Sequence, residues 1–190
     1  YLVDSDFISP AHAREARITV KVINAFFRWE FNSRESILKN GLLQPIDFAN
    51  ACPDIAIISL HYYFPWAIKA LMAWSLFCLA SDRPMHLNMN FTDYFAIADS
   101  ERTYDEKLTA YEALTDEYFE TERFQEFRAT QLTHLDEAMW ELAQAQELDD
   151  MLVHLVRSTF PPHEHDQFIA HFRSLVRSWV VSEGARDSLT

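Results

Sequence analysis

Between Asp54 and Asp82 lie 27 residues, IAIISLHYYFPWAIKALMAWSLFCLAS, with one full charge (Lys69), one histidine (His61) and one proline (Pro65). A run this apolar has two stable settings: the deepest helix of a bundle, or a helix in a bilayer, whose hydrocarbon takes roughly 20 residues to cross. Ile55–Leu60 has strand-like β-propensity, but no second strand candidate stands out to pair with it. The pattern therefore predicts a helix over 55–80. Pro65 either kinks it or starts a new one, with Phe64 driven out of the α region.

If Tyr62–Ser81 is the crossing segment, then Tyr62, Tyr63 and Trp66 form an aromatic belt at one interface, and Asp82 and Arg83 reach water at the other. Lys69 would then snorkel outward. Against this stand Trp74 near mid-bilayer and the cost of Lys69, up to ~2.5–3.5 kcal/mol if it cannot reach the interface. In the alternative, a core helix, Lys69 reaches a carboxylate. The sequence leaves both open.

The glycine count narrows the rest. There are two in 190 residues, where roughly 7% is usual. Phosphate-cradling loops, dinucleotide fingerprints, nucleophile elbows and tight β-hairpins depend on glycine for positive φ or close backbone approach. Their absence is the expectation, and an all-α fold follows: an irregular bundle of about six to eight helices around the apolar element, read as one unit over 1–190.

Along the chain, Ser9-Pro10 reads as N-cap and first helical residue. Ala16, Val20, Ile23 and Phe27 follow at helical spacing, with Ile18, Val22, Phe26 and Trp29 widening the apolar side. Within the N-terminal helices (1–52), Asn32-Ser33 is expected to cap a short helix to Asn40, with Gly41 as its left-handed C′ residue, and Pro45–Ala51 to form another. After the 54–82 element come a loop at Met85–Asn90 and a short helix at Thr92–Asp99. Thr103 and Glu106 then form a capping box. The acidic segment 100–158 has neither Gly nor Pro up to Ser158. Its apolar stripe slips phase before Phe124 and again across Gln144–Glu147, which predicts two or three helices. Pro161-Pro162 opens a C-terminal amphipathic helix (161–184) with an apolar face from Phe168 to Val180, ended by Gly184.

Net charge is −13. Residues 101–150 hold 15 acids against four bases, a net −11 in that window alone. Such a surface repels nucleic acid and anionic headgroups, which require clustered Lys and Arg. Two cysteines, Cys52 and Cys78, without a CxxC make neither a disulfide framework nor a zinc site, so buried thiols are expected. The sequence begins at Tyr1, which a removed organellar presequence or a trimmed terminus would each explain.

Few residues invite chemistry. His134, Glu137 and Glu141 share one helical side, and Asp150 and His154 another. Carboxylates with histidines inside a bundle are how di-iron proteins are built, but the Glu-x-x-His pairing does not occur. A solvated acidic face is the expectation, with no catalytic residue, metal or cofactor. In His163-Glu164-His165-Asp166 neighbouring side chains diverge, and the acids suit a helix N-terminus. Glu112, Asp116 and Glu120 form a like-charge row that is either wet surface or faced by cations of a partner.

The residues therefore favour a non-catalytic accessory subunit of a large, membrane-bound assembly, with an organellar (mitochondrial) inner membrane as its setting. Its partners would be other subunits, met through Phe26, Phe27, Trp29, Phe168, Phe172 and Trp179, and lipid at Tyr62–Ser81. A soluble, cytoplasmic helical adaptor is the alternative, and a carboxylate/histidine metal enzyme the second.

Overall fold

A computed structural model describes residues 8–49, 54–86 and 89–187. In chain order these form α1 (Pro10–Phe27), β1 (Ser33–Lys39), β2 (Leu42–Ala49), α2 (Ile57–Leu60), α3 (Phe64–Ala80), α4 (Thr92–Ala98), α5 (Tyr104–Tyr118), α6 (Thr121–Gln131), α7 (Leu135–Leu142), α8 (Gln146–Thr159) and α9 (His165–Asp187). The fold is mostly helical, with one two-stranded sheet. Where the sequence pattern suggests one unit, contacts group the chain into two: Tyr1–Pro53 with Ala80–Phe127, and Asp54–Leu79 with Arg128–Thr190.

The first unit is organised by α1. Ser9 caps it by accepting from the His12 amide, and Pro10 occupies its first turn, as the sequence indicates. It stops at Phe27 because Arg28 turns left-handed (φ 60°). Ile18 and Ala25, two turns apart, are its buried residues, while Phe27 is 41% exposed. The burial centre thus lies off the Ala16–Phe27 row. Tyr94 of α4, Thr115 of α5 and Phe119 complete the buried set of this unit with Leu43 of β2. Thr115 is fully buried and donates its hydroxyl to the Tyr111 carbonyl, so no polar atom is stranded there.

Residues 33–49 overturn the expected all-helical N-terminal region. Instead of helices over 33–40 and 45–51, Ser33–Lys39 and Leu42–Ala49 pair as an antiparallel hairpin; Asn50 and Ala51 lie outside the described residues, as does Cys52. Asn40 (φ 54°) and Gly41 (φ 74°) make the two-residue turn whose twist matches the strands. A Cβ on Gly41 would meet nothing within 4 Å, so the requirement is dihedral and not steric. Two glycines were enough, because a hairpin needs only one.

The second unit is built on the apolar stretch. Asp54 accepts from the Ala56 amide at 2.8 Å and the Ser59 hydroxyl at 2.5 Å, starting α2. A 3-10 turn at His61–Tyr63 separates α2 from α3, so the stretch is not one helix. Pro65 starts a helix, as one of its two readings had it. Phe64 is the first residue of α3 instead of being pushed out of the α region. No helix of the described residues is long and apolar enough to cross a membrane.

Around Ile57 and Phe64 gather Leu148, Leu152 and Val156 from α8, at successive turns, and Ile169, Phe172, Val176 and Trp179 from α9. Each of these two helices buries one stripe of its 3.6-residue repeat. Tyr62 Oη meets Ser182 Oγ at 2.8 Å, and Trp140 Nε1 donates to the Val180 carbonyl at 3.2 Å, tying the aromatic polar tips to α9. The capping box at Thr103–Glu106 forms as expected. Residues 103–158, however, hold four helices, not two or three: breaks fall at both phase slips and again at 132–134. The last helix runs through Gly184 to Asp187.

Candidate functional site

The acidic row of α5 finds its cations in the same chain. Arg14 donates to Glu112 through Nε at 3.2 Å and a terminal nitrogen at 2.7 Å, and Arg17 reaches the same carboxylate at 3.5 Å. One turn on, Lys21 pairs with Asp116. Glu120 lies 2.7 Å from Arg123 and 3.9 Å from Arg83. Arg14, Arg17 and Lys21 sit at i, i+3 and i+7 on one side of α1, the first two facing Glu112 and the third Asp116. No external partner is needed to explain the row. The signal was present in α1, whose basic stripe is as regular as the acidic one.

The histidine–carboxylate candidates stay apart. His134 precedes α7 and meets Glu137 at 3.4 Å, with both side chains largely in water. Glu141 is exposed, Asp150 accepts from Gln146 at 2.9 Å, and His154 is exposed. Among the described residues no three His, Cys, Asp or Glu side chains are placed to hold a metal ion. His165 Nε2 lies 2.8 Å from the Phe160 carbonyl and His163 lies 3.6 Å from Glu164, both local contacts at the start of α9. Cys78 is half-buried.

A cavity of about 520 Å³ opens beside α8 and α9, lined by apolar Ile57, Leu148, Leu152 and Val176 and by charged Asp149, Arg173 and Arg177. Arg173 binds Asp149 through both carboxylate oxygens at 2.5 Å. Among the described residues its lining carries charge and amides, from Asp149, Arg173, Arg177, Gln144 and Gln146.

That ion pair has a measurable signature. The Arg173 hydrogen bonds hold the Asp149 carboxyl below its ordinary 3.8, outweighing burial. For Asp116, burial pushes upward, but hydrogen bonds from Lys21 and Thr121 prevail and the net shift is also downward. A folded-state value below the unfolded one means that the unfolded chain binds more protons, so stability rises with pH through this range. The contribution is complete above the ordinary carboxylate range and is lost as pH drops through the folded values. Asp149→Asn is therefore expected to be less stable than the native chain at pH 7, with the gap closing as pH falls below the ordinary carboxylate range and through the folded-state value, measured by urea unfolding as a function of pH.

The aromatic residues with partner-facing spacing divide. Phe172 and Trp179 are 3% and 5% exposed, consumed by their own core, which corrects their reading as contact residues for other subunits. Phe168 stacks on Phe160 at 4.0 Å, and Phe26 on Phe91 at 4.1 Å. Phe27 and Trp29 stack on each other at 5.1 Å. Exposed large apolar side chains are scattered over the chain, Leu42, Ile46, Phe95 and Val181 among them, and three line up on one side of α3: Met72 (43%), Leu76 (38%) and Leu79 (80%), at i, i+4 and i+7. Lys69, the only charge of α3, is spent on Asp136 at 2.6 Å. Sequence reasoning treated this helix as wholly buried or wholly in lipid and missed the division of its faces.

Compared with protein families, curated proteins and solved structures, the chain matches none of them.

Proposed function

We propose that this chain is a non-catalytic helical accessory subunit that holds another protein through the open side of α3. The observation that carries this reading is the Met72–Leu76–Leu79 ridge. Three large apolar side chains at helical spacing are the anchors by which one helix packs into the groove of another chain. The 17 residues of α3 rise about 26 Å at 1.5 Å each, short of the ~30 Å hydrocarbon core. The acidic charge also disfavours anionic lipid. A protein surface is accordingly the partner proposed, whether the assembly sits at a membrane, as the composition first suggested, or in solution as an adaptor.

The double variant Leu76→Lys, Leu79→Lys tests it. Both positions are exposed, so the thermal midpoint should stay within about 0.5 kcal/mol equivalent of the native chain. A stoichiometric companion retained by tagged native chain in its source extract, and by the control Met151→Lys, should be lost from the double variant. Identical companions with all three chains would overturn the proposal.

A further inference from the structure

The hairpin points to a second interface, with another copy of this chain. A two-residue loop makes Lys39 and Leu42 a hydrogen-bonded pair, and such pairs alternate along an antiparallel ladder. Ile37–Gln44 is then bonded and Ser36–Pro45 is not, which is where a residue without an N–H can stand. On β1 the backbone groups of Ser36 and Leu38 therefore face away from β2. Among the described residues the sheet ends there, with two strands. β2 carries Pro45 and a register shift opposite Glu35/Ser36, features that blunt an edge. β1 carries neither.

The exposed face of β1 reads Ser33, Glu35, Ile37, Lys39. Among the described residues neither Glu35 nor Lys39 has an ion-pair partner, and Glu35 stands directly across from Asp47, acid against acid. Ile37 is 51% exposed.

We propose that two copies pair β1 to β1 about a two-fold axis through Ile37, making a four-stranded antiparallel sheet. In that register Ser36 of each copy exchanges both hydrogen bonds with Leu38 of the other, Ile37 faces Ile37, and Glu35 faces Lys39 twice. Each Lys39 also approaches the Glu35–Asp47 pair, relieving its repulsion. A two-fold axis at Ser36 satisfies the backbone equally but sets Glu35 against Ile37; one at Leu38 sets Lys39 against Ile37. Only the Ile37 axis matches charge with charge. An edge contact of this length is small, so the dimer is expected to be weak and concentration-dependent.

Sedimentation equilibrium of the native chain should show a reversible monomer–dimer equilibrium. Glu35→Lys and Lys39→Glu should each weaken it about tenfold, because each change opposes like charges twice. The double variant Glu35→Lys, Lys39→Glu restores both pairs and should return to the native constant. An equimolar mixture of the two single variants should form a heterodimer more tightly than either forms a homodimer. Leu76→Lys, Leu79→Lys should leave the equilibrium unchanged, which separates this interface from the one on α3. A native chain that stays monomeric at millimolar concentration, or charge variants that dimerise as the native chain does, would overturn the proposal. So would failure of the mixture to pair.

Discussion

Phe172→Ala is expected to lower the unfolding free energy of the Asp54–Leu79/Arg128–Thr190 unit by about 3–5 kcal/mol, the range for phenylalanine truncation in a packed core. Phe172 is 3% exposed. Its ring lies nearly parallel to Phe168 at 5.9 Å and 6.1 Å from Phe160. Its removal deletes one ring of an aromatic group as well as buried area, and aromatic neighbours contribute beyond area alone. A domain of ordinary stability has roughly 5–15 kcal/mol in total, so the variant can unfold outright; Phe172→Leu, at about 1–2 kcal/mol, keeps the measurement on scale. Phe27→Ala is the control. Phe27 is 41% exposed, and its loss should cost less than about 1 kcal/mol. Urea unfolding of the three variants distinguishes a core residue from the subunit-contact residue that its helical spacing alone suggested. Equal small losses at 172 and 27 would mean that Phe172 is not core.

How far the fold was legible follows from what each signal measures. Caps are local, and Ser9-Pro10 and Thr103–Glu106 formed where they were read. Stripes report that a side chain leaves water, and the Leu148–Val156 and Ile169–Trp179 faces did. They do not say what covers the stripe, which is why Phe172 and Trp179 could pass for partner contacts. Asn40-Gly41 was the strongest short-range hairpin signal in the chain, flanked by SRESILK and LLQPIDF. Glycine scarcity, a whole-chain average, masks it, and Pro45, whose sequence setting suggests a helix start, occupies a non-bonded strand position opposite Ser36. Gly41's positive φ was right; its element was wrong. Glu112 and Asp116 look unpartnered in the sequence because their cations lie 98 and 95 residues away. Only a matching stripe on α1 could have betrayed them.

The same long-range pairing makes Arg83 the most consequential charge of the Tyr1–Pro53/Ala80–Phe127 unit. Its side chain is 2% exposed. It donates to Glu30 at 2.9 Å and to the Tyr118 carbonyl at 3.0 Å, with Glu120 at 3.9 Å. The guanidinium also lies 5.2 Å from the Tyr118 ring centroid and 5.8 Å from that of Phe119. Burial alone would lower its affinity for the proton, but Glu30 and the Tyr118 contact reverse this and the net shift is upward. One planar cation with several fixed donors meets all these demands; a lysine ammonium cannot. Breaking a buried pair costs about 3–5 kcal/mol. Glu30 and Glu120 keep 40% and 30% exposure, so water solvates part of what they lose and about 2 kcal/mol is the discounted expectation for Arg83→Met. Arg83→Lys should recover less than half of that. Adding Glu30→Gln to Arg83→Met should cost less than the sum of the single changes, as expected for two groups in one contact. Strict additivity of the two losses would show that the Glu30 carboxylate is held by water and not by Arg83.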